Sequence, residues 1–299
     1  MINALNVKKY FDGNMALESF TTEIASGSIY GLVGSNGAGK STLLRLIAGI
    51  YSCDSGSIAI NGENVFENIK IKENIFFVSD DLFFFPGCNM NRMADFYSGI
   101  YSNWSSVRYK ELCAAFPIDA EKRIDTFSKG MQRQAALILA LSTMPEILLL
   151  DEAFDGLDPV IRGLLRRLLA EDVAERGITV IVSSHNLREL EDLCDTVGVL
   201  HKGKLLLQRG LDDMKLDFCK VQCAFDEPPA KELFAGLDLL KYEAQGKLIT
   251  LVAHGGQGTV MEQIQALNPL FTDSIPLNLE EIFIVEMEAA DYDYTNIIY

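Results

Sequence analysis

A glycine-rich stretch early in the chain has the composition and spacing of a phosphate-binding loop. Its residues, Gly34-Ser35-Asn36-Gly37-Ala38-Gly39-Lys40-Ser41, fit the pattern G-x-x-x-x-G-K-[ST]. Residues 28–33 predict a strand before it and residues 41–50 predict a helix after it, which is the required order. Glycines let successive backbone N–H groups point at phosphate oxygens, and the helix N-terminus adds a positive dipole end. A glycine-rich surface turn is the alternative, whereas a G-x-G-x-x-G dinucleotide loop does not fit the spacing.

Three side chains at the end of this loop are suited to a nucleotide and its metal ion. Lys40 would reach the β- and γ-phosphates, and Ser41 offers a hydroxyl to Mg²⁺. Thr42 can add a contact on the α-phosphate side. The remaining predicted phosphate contacts come from Ser35, Asn36, Gly37, Ala38 and Gly39.

An acidic pair follows a short apolar run later in the chain. Residues 147–150 (Ile-Leu-Leu-Leu) predict a buried strand that leads directly into Asp151 and Glu152. The carboxyl end of such a strand is where α/β sheets bind ligands. Asp151 would hold Mg²⁺, and Glu152 would orient or deprotonate an attacking water. An Asp-Glu pair after a strand is commonly just a solvated loop, but the phosphate loop upstream favours the catalytic interpretation.

The elements that would position these residues alternate between strand and helix. Residues 147–150 and 178–182 are short continuous apolar runs, typical of strands buried on both faces of a parallel sheet. Between them, residues 160–176 follow a helical period, with Pro159 in the first turn. Residues from about 84 to 130 show helical segments only, which predicts an inserted helical subdomain. The pattern indicates an α/β domain.

The C-terminal part of the chain predicts a separate, small α+β module. It follows a polar break at residues 210–213, so we expect one domain over residues 1–212 and an accessory domain over residues 213–299. Its predicted elements are strands near residues 220–225 and 248–253 and a helix near residues 259–267. The chain ends in a tail rich in Asp and Tyr.

Composition narrows the possible partners. The 299 residues include 26 Lys and Arg against 42 Asp and Glu, a net charge of −16, which weighs against binding to nucleic acid. The longest apolar run, residues 135–150, is interrupted by Pro145 and Glu146, so no membrane span is expected. The N-terminus lacks the apolar region of a secretory signal, and the six cysteines are therefore expected to be reduced thiols.

Three further segments indicate a protein family. They are residues 127–132 (Phe-Ser-Lys-Gly-Met-Gln), 155–159 (Asp-Gly-Leu-Asp-Pro) and 183–185 (Ser-Ser-His). With the phosphate loop and the acidic pair, in this order, residues 2–212 resemble the ATP-binding subunits of ABC transporters. The resemblance is strongest to the bacterial class in which the ATPase is its own polypeptide, as in drug and antibiotic exporters.

This resemblance implies a fold and a working partner. The fold is a P-loop NTPase of ABC type, with a mixed-sheet core and an inserted helical subdomain. Each chain would hold half of each active site, so the resemblance implies a homodimer that closes on two ATP with Mg²⁺ and opens after hydrolysis. The dimer would sit at the cytoplasmic face of the membrane and drive a separate transmembrane permease, for export.

Roles for individual residues come with the resemblance. Tyr10 would stack on adenine, although a buried tyrosine at a strand end is the alternative. Ser128 and Gly130 would belong to a signature loop that contacts the γ-phosphate of ATP held by the other subunit. Asp158 would lie in the dimer-bridging D-loop, and His185 would contact the γ-phosphate.

The sequence departs from the family pattern at two places. In the signature loop, Lys129 replaces a glycine and Met131 replaces a glutamine, although Gln132 follows at once. In the Q-loop, Asp80 stands where a glutamine normally contacts Mg²⁺, and we hypothesise that Asp80 keeps this metal contact. The apolar residues 82–86 just after it would face a permease helix, or else pack in the core.

Two other functions compete with the transporter subunit. One is an ABC-type ATPase acting on ribosomes or nucleic acid, but such proteins usually carry two ATPase domains, coiled coils or basic insertions. The other treats residues 213–299 as a regulatory or dimerisation domain that carries the main function. Residues 277–283 resemble the chain end often seen in exporter ATPases, which indicates an accessory role.

Overall fold

The structure, a computed structural model, describes residues 1–227 and 229–289. The predicted C-terminal tail lies outside the described residues. The described chain divides into two compact units, Met1–Gln208 and the residues from Arg209 onward.

Strands and helices alternate through most of the first unit. The strands of this unit are β1 (Ile2–Phe11), β2 (Asn14–Ile24), β3 (Ile29–Val33), β4 (Ser55–Ile60), β5 (Glu63–Asn64), β6 (Ile75–Val78), β7 (Ile147–Asp151), β8 (Thr179–Ser184) and β9 (Thr196–His201). A tenth strand, β10 (Lys204–Gly210), begins in this unit and ends in the second one. The helices of this unit are α1 (Lys40–Ile47), α2 (Ile69–Lys72), α3 (Met90–Ser98), α4 (Ser106–Ala115), α5 (Lys129–Ser142), α6 (Pro159–Arg176) and α7 (Leu187–Leu190).

A six-stranded sheet brings the predicted site segments to one edge. Its strand order is β10-β9-β3-β8-β7-β6, with parallel pairing of β3 to β8, β8 to β7, and β7 to β6. Val33 pairs with Ser184, and Asp151 pairs with Ser183, so β3, β7 and β8 end at the same level. The phosphate loop, the acidic pair and His185 therefore leave the sheet side by side.

A second, antiparallel sheet completes the mixed architecture. Its strand order is β2-β1-β4-β5, and β1 pairs antiparallel with both β2 and β4. Side chains from this sheet share one apolar core with α1 and the six-stranded sheet, including Phe20, Leu44 and Leu149, which are at most 1% exposed. The expected α/β fold with a mixed-sheet core is confirmed.

Helices fill the segment between β6 and β7. α3, α4 and a 3-10 helix (Ile124–Thr126) precede α5, and one isolated bridge joins Asn89 to Arg123. α5 begins after Ser128, whose side chain accepts a hydrogen bond from the Met131 N–H as its N-cap. No described helix combines the length and the apolar character needed to span a bilayer.

The second unit has a strand order that the sequence did not indicate. Its elements are α8 (Leu211–Asp217), β11 (Phe218–Ala224), a 3-10 helix (Lys231–Phe234), β12 (Asp238–Gln245), β13 (Leu248–His254), α9 (Gln257–Gln265), β14 (Phe271–Ile275) and α10 (Leu279–Ala289). The antiparallel strand order β12-β13-β11-β14, with one helix in each crossover, is the ferredoxin-like βαββαβ arrangement. The α+β class predicted for this part is confirmed.

The start of the second unit differs from the sequence-based expectation. The polar break predicted at residues 210–213 is the start of a helix: Gly210 is the N-cap of α8, and Asp212 and Asp213 lie in its first turn. Acidic side chains there suit the positive end of the helix dipole. The division between the units falls after Gln208, four residues before the expected boundary at residue 212.

Candidate nucleotide site

The phosphate loop wraps around the amine of its own lysine. Lys40 is 5% exposed, and its Nζ donates to the Gly34 carbonyl oxygen at 2.6 Å and lies 3.4 Å from that of Ser35. Gly39 has φ +110°, and a Cβ there would lie 2.6 Å from the Ala16 carbonyl oxygen, so the loop needs glycine at this place.

A cavity of about 200 Å³ opens above this loop. It is lined by Ala16, Ser35, Asn36, Gly37, Ala38, Gly39, Lys40, Ser41, Thr42, Asp80 and Glu152. The predicted phosphate contacts from Ser35 to Thr42 therefore line one pocket, together with the Q-loop aspartate and the predicted catalytic glutamate.

Asp151 is suited to a metal ion. Its carboxylate is fully buried, and Oδ1 accepts a hydrogen bond from Ser183 Oγ at 2.6 Å. Oδ2 is buried without a hydrogen-bond partner among the described residues. Buried carboxylate oxygens are rarely left unsatisfied, and a hard cation such as Mg²⁺ would satisfy this one. The residues present thus fit Mg²⁺, with the Ser41 hydroxyl in the adjoining pocket.

Glu152 bridges two cationic or hydrogen-bonding partners. Its Oε1 lies 3.1 Å from Lys40 Nζ, and its Oε2 lies 2.9 Å from His185 Nδ1 and 3.3 Å from the His185 backbone nitrogen. The hydrogen bond to Glu152 raises the pKa of His185, and the negative charge of Asp155 acts in the same direction. Oxygens of Glu152 and Asp155 and a ring nitrogen of His185 lie within 4.8 Å of one another.

Asp80 lies at the rim of the pocket and is engaged by an arginine. Its Oδ1 accepts a hydrogen bond from Arg133 Nη2 at 2.9 Å, and its side chain is 59% exposed. Arg133 Nη1 donates to the Glu152 carbonyl oxygen at 2.9 Å. Sequence reasoning did not single out Arg133, because its partners lie far away along the chain and only the fold brings them together.

The residues assigned to the second half of the site do not line this pocket. Gln132 Nε2 donates to the carbonyl oxygens of Ile124 and Phe127 at 3.3 and 3.4 Å. Asp158 caps α6, since its Oδ1 accepts hydrogen bonds from the N–H groups of Val160 and Ile161, both at 3.0 Å. Both side chains therefore have structural hydrogen bonds within the chain.

Two other members of the predicted site also lie outside the pocket. A Cβ at Gly130 would lie 2.6 Å from the Gly156 carbonyl oxygen, so the signature loop touches the D-loop of its own chain. Tyr10 is 42% exposed, and its N–H donates to Asp54 Oδ2 at 2.6 Å. The alternative of a buried Tyr10 is wrong.

Exposed aromatic side chains follow Asp80. We call Phe83, Phe85 and Phe96 the aromatic patch. Phe83 is 72% exposed and the other two are each 43% exposed. The ring centroids of Phe83 and Phe85 are 5.8 Å apart, and those of Phe85 and Phe96 are 4.9 Å apart, both edge to face. Core packing, the alternative for this segment, is wrong for these two loop phenylalanines.

Comparison with known proteins places this geometry among transporter ATPases. A family model described as "ABC transporter" matches residues 17–155. The ABC transporter ATP-binding protein YtrB of Bacillus subtilis (strain 168) is 30% identical, over 96% of this chain and 98% of that protein. The bacitracin transport ATP-binding protein BcrA of Bacillus licheniformis is 29% identical, over 95% of this chain and 96% of that protein.

A solved structure matches the first unit's fold. The structure of an ATP-binding subunit of an ABC transporter superposes with a TM-score of 0.66 at 25% identity. The match covers 72% of this chain and 92% of that one. The similarity to whole-length relatives extends further along the chain than this structural match does.

Proposed function

We propose that this chain, which belongs to the family of ABC transporter ATP-binding proteins, hydrolyses ATP to drive a separate transmembrane permease in export. The observation that carries the proposal is the position of Glu152. One carboxylate contacts both the phosphate-loop lysine and His185 at the mouth of a phosphate-sized pocket.

The chemistry follows from what each side chain can do. Lys40 and the loop N–H groups would neutralise and orient the β- and γ-phosphates. Ser41, Asp151 and Asp80 would hold Mg²⁺, which supplies further charge neutralisation between these phosphates when bound. Glu152 would accept a hydrogen bond from the attacking water, and His185 would donate to the γ-phosphate. Tyr10, being exposed, would offer its ring to adenine.

A second copy of the chain would complete the site. Ser128, Gly130 and Gln132 lie outside the pocket of their own chain, and we propose that their loop covers ATP bound by a partner, with Gln132 holding the loop through its hydrogen bonds to Ile124 and Phe127. Asp158, at the start of α6, would lie between the two copies. We propose a homodimer with two equal sites, because one chain carries both halves.

Similarity to transport proteins supports the permease partner and the export direction. The motifs resemble those of drug and antibiotic exporters, and the similarity to a bacitracin transport protein runs over 95% of this chain. The aromatic patch supplies an exposed apolar surface on which a helix of the permease could dock. This arrangement would place the chain at the cytoplasmic face of the membrane.

The test compares Glu152→Gln with the unchanged chain. We expect Mg²⁺-dependent phosphate release by the unchanged chain and a decrease of about 100-fold or more in Glu152→Gln, because general-base catalysis typically contributes this much. With ATP, Glu152→Gln should elute as a dimer in size-exclusion chromatography, since closure is no longer followed by hydrolysis. Lys40→Ala should lose ATP binding.

A matched control separates this role from a general effect of charge. Glu175→Gln removes an exposed carboxylate from α6, away from the pocket, and should keep full activity. A Glu152→Gln variant that hydrolyses ATP at the normal rate, or that stays monomeric with ATP bound, would contradict the proposal.

A further inference from the structure

One guanidinium group joins three segments of the nucleotide site. Arg133 lies in the second turn of α5, the helix that the signature loop begins. Its Nη1 donates to the Glu152 carbonyl oxygen at 2.9 Å and lies 3.5 Å from that of Asp151. Its Nη2 donates to Asp80 Oδ1 at 2.9 Å. The Arg133 side chain is only 11% exposed, whereas the Asp80 side chain is 59% exposed.

Glu152 needs support from its neighbours because its backbone conformation is uncommon. Its φ is +49°, in the left-handed region that a side chain with a Cβ seldom occupies. Such a conformation is strained and persists only where the surroundings fix it. The Glu152 N–H lies 3.1 Å from Ser183 Oγ and 3.2 Å from the Ser183 carbonyl oxygen. Arg133 holds the carbonyl side of the same residue.

The contact between Arg133 and Asp80 depends on both residue types. The planar fork of arginine can donate to a carbonyl and a carboxylate at once, whereas lysine acts as a point charge. A nearly buried guanidinium also requires a counter-charge. Asp80 provides one, and it does so from a segment that the family pattern would fill with a neutral glutamine.

Asp80 also lies next to the surface proposed for the permease. Phe83 and Phe85 of the aromatic patch follow it three and five positions later. A shift of this segment on docking would move the carboxylate that holds Arg133. The observed contacts run from Asp80 through Arg133 to the backbone of Glu152, and the aromatic patch adjoins Asp80 along the chain.

We propose that Arg133 is a positioning residue for Glu152, and that Asp80 controls hydrolysis by holding Arg133 rather than by binding Mg²⁺ alone. This inference rests on the proposed function and adds a route of regulation to it. Arg133 is not among the residues that line the pocket above the phosphate loop. It acts by fixing the direction in which Glu152 presents its carboxylate.

The experiment measures kcat and KM for ATP in five variants of the full chain, with thermal stability as a check on folding. Arg133→Gln should lower kcat by about 10–100-fold and leave KM nearly unchanged, because a displacement of about 1 Å can cost this much while the phosphate loop stays intact. Arg133→Lys should recover part of the loss. Arg167→Gln is the control, since it removes an exposed arginine paired with Glu171 on the outer side of α6.

Asp80→Asn separates the two roles of the aspartate. Its kcat should fall by about 3–10-fold, as befits loss of a second contact, and should recover only in part when Mg²⁺ is raised. Combined with Arg133→Gln, it should add no further loss at high Mg²⁺, since coupled residues are not additive. Full recovery at high Mg²⁺, or full additivity, would assign Asp80 to the metal alone and overturn its link to Arg133.

The remaining outcomes are equally decisive. Normal kcat in Arg133→Gln, or a loss that lies in KM, would overturn the positioning role. If Arg133→Gln does not fold, the positioning role is judged from Asp80→Asn and Arg133→Lys: a normal kcat in both, or a loss that lies in KM, would overturn it. Absence of Mg²⁺-dependent hydrolysis in the unchanged chain and in Arg167→Gln would overturn the proposed function itself, which is a different result.

Discussion

The Glu152 carboxylate joins two ionisable groups beside the pocket proposed for a nucleotide phosphate. Its carboxylate contacts Lys40 and His185 at the same time. A γ-phosphate brings negative charge that would compete with Glu152 for Lys40. Binding of ATP would therefore draw Lys40 onto the phosphates and leave Glu152 with His185. This exchange would couple phosphate binding to the freedom of the carboxylate that is proposed to act in catalysis.

The first prediction concerns the proton on His185. Because its pKa lies above the ordinary value of 6.5, chiefly through the hydrogen bond to Glu152, the charged pair is complete below about pH 6.5 and disappears as pH rises through the raised pKa. Glu152→Gln removes the charge of the partner, so the His185 pKa should fall. NMR titration of the three histidines measures this directly.

His201 serves as the internal control for that titration. Burial lowers its pKa, and Lys202 adds to the effect, so Glu152→Gln should leave it where it is. A His185 pKa that stays raised in Glu152→Gln would show that Glu152 is not its main partner.

At the residue scale, local patterns predicted some of the site and missed what depends on the fold. The spacing of the glycines and Lys40 predicts the phosphate loop, because this loop is contiguous in sequence. Ser183 was noticed only as part of a motif, yet its hydroxyl holds Asp151. Arg133 was missed altogether, because its contacts with Asp80 and Glu152 depend on how α5 packs beside the sheet.

At the element scale, parallel strands explain why the site forms where it does. β3, β7 and β8 are neighbours in register, so the loops that follow them share one edge. The apolar runs of β7 and β8 were predictable because every residue in them is buried. The order of the strands was not, because it depends on pairings between distant segments.

The second prediction concerns the aromatic patch and its proposed partner. Phe83→Ser should weaken co-purification with the permease by about 10-fold or more, because exposed aromatic anchors often dominate binding energy. Basal ATPase activity and thermal stability should change little, since Phe83 is 72% exposed. The assay is a pull-down from membranes, with the amount of co-purified multi-span membrane protein as its readout.

Ile69→Ser provides the control for the patch, because Ile69 is an equally exposed apolar residue on α2. It should leave the pull-down unchanged. Equal loss in both variants would indicate non-specific apolar adhesion, and no loss in Phe83→Ser would remove the patch from the proposed interface.

At the scale of the whole molecule, the two units have separate cores. The second unit buries Val221, Phe234, Leu251 and Ile264 within one cluster of its own. Its β11 and β13 were predictable from near-alternating burial, whereas the edge strands β12 and β14 were not. In β12 no residue is fully buried, so the apolar pattern that signals a strand is weak.

The last prediction separates the two units by truncation after Gly210, where β10 ends. All proposed site residues lie between Tyr10 and His185, so the truncated chain should bind and hydrolyse ATP with KM unchanged. Trp104 is the only tryptophan, so its fluorescence reports on the first unit alone. The midpoint of the thermal transition of the truncated chain, followed by this fluorescence, should stay within about 3 °C of that of the full chain, as expected for a unit with its own core.

The same truncation in the Glu152→Gln background tests what the second unit contributes. If dimerisation depends only on the nucleotide site, the truncated Glu152→Gln variant should still elute as a dimer with ATP. A monomer that binds ATP normally would assign dimerisation to the second unit. Residues 211–299 would then take part in the ATP-dependent closure of the dimer, because closure of two ATP sites would require a surface outside the unit that binds ATP.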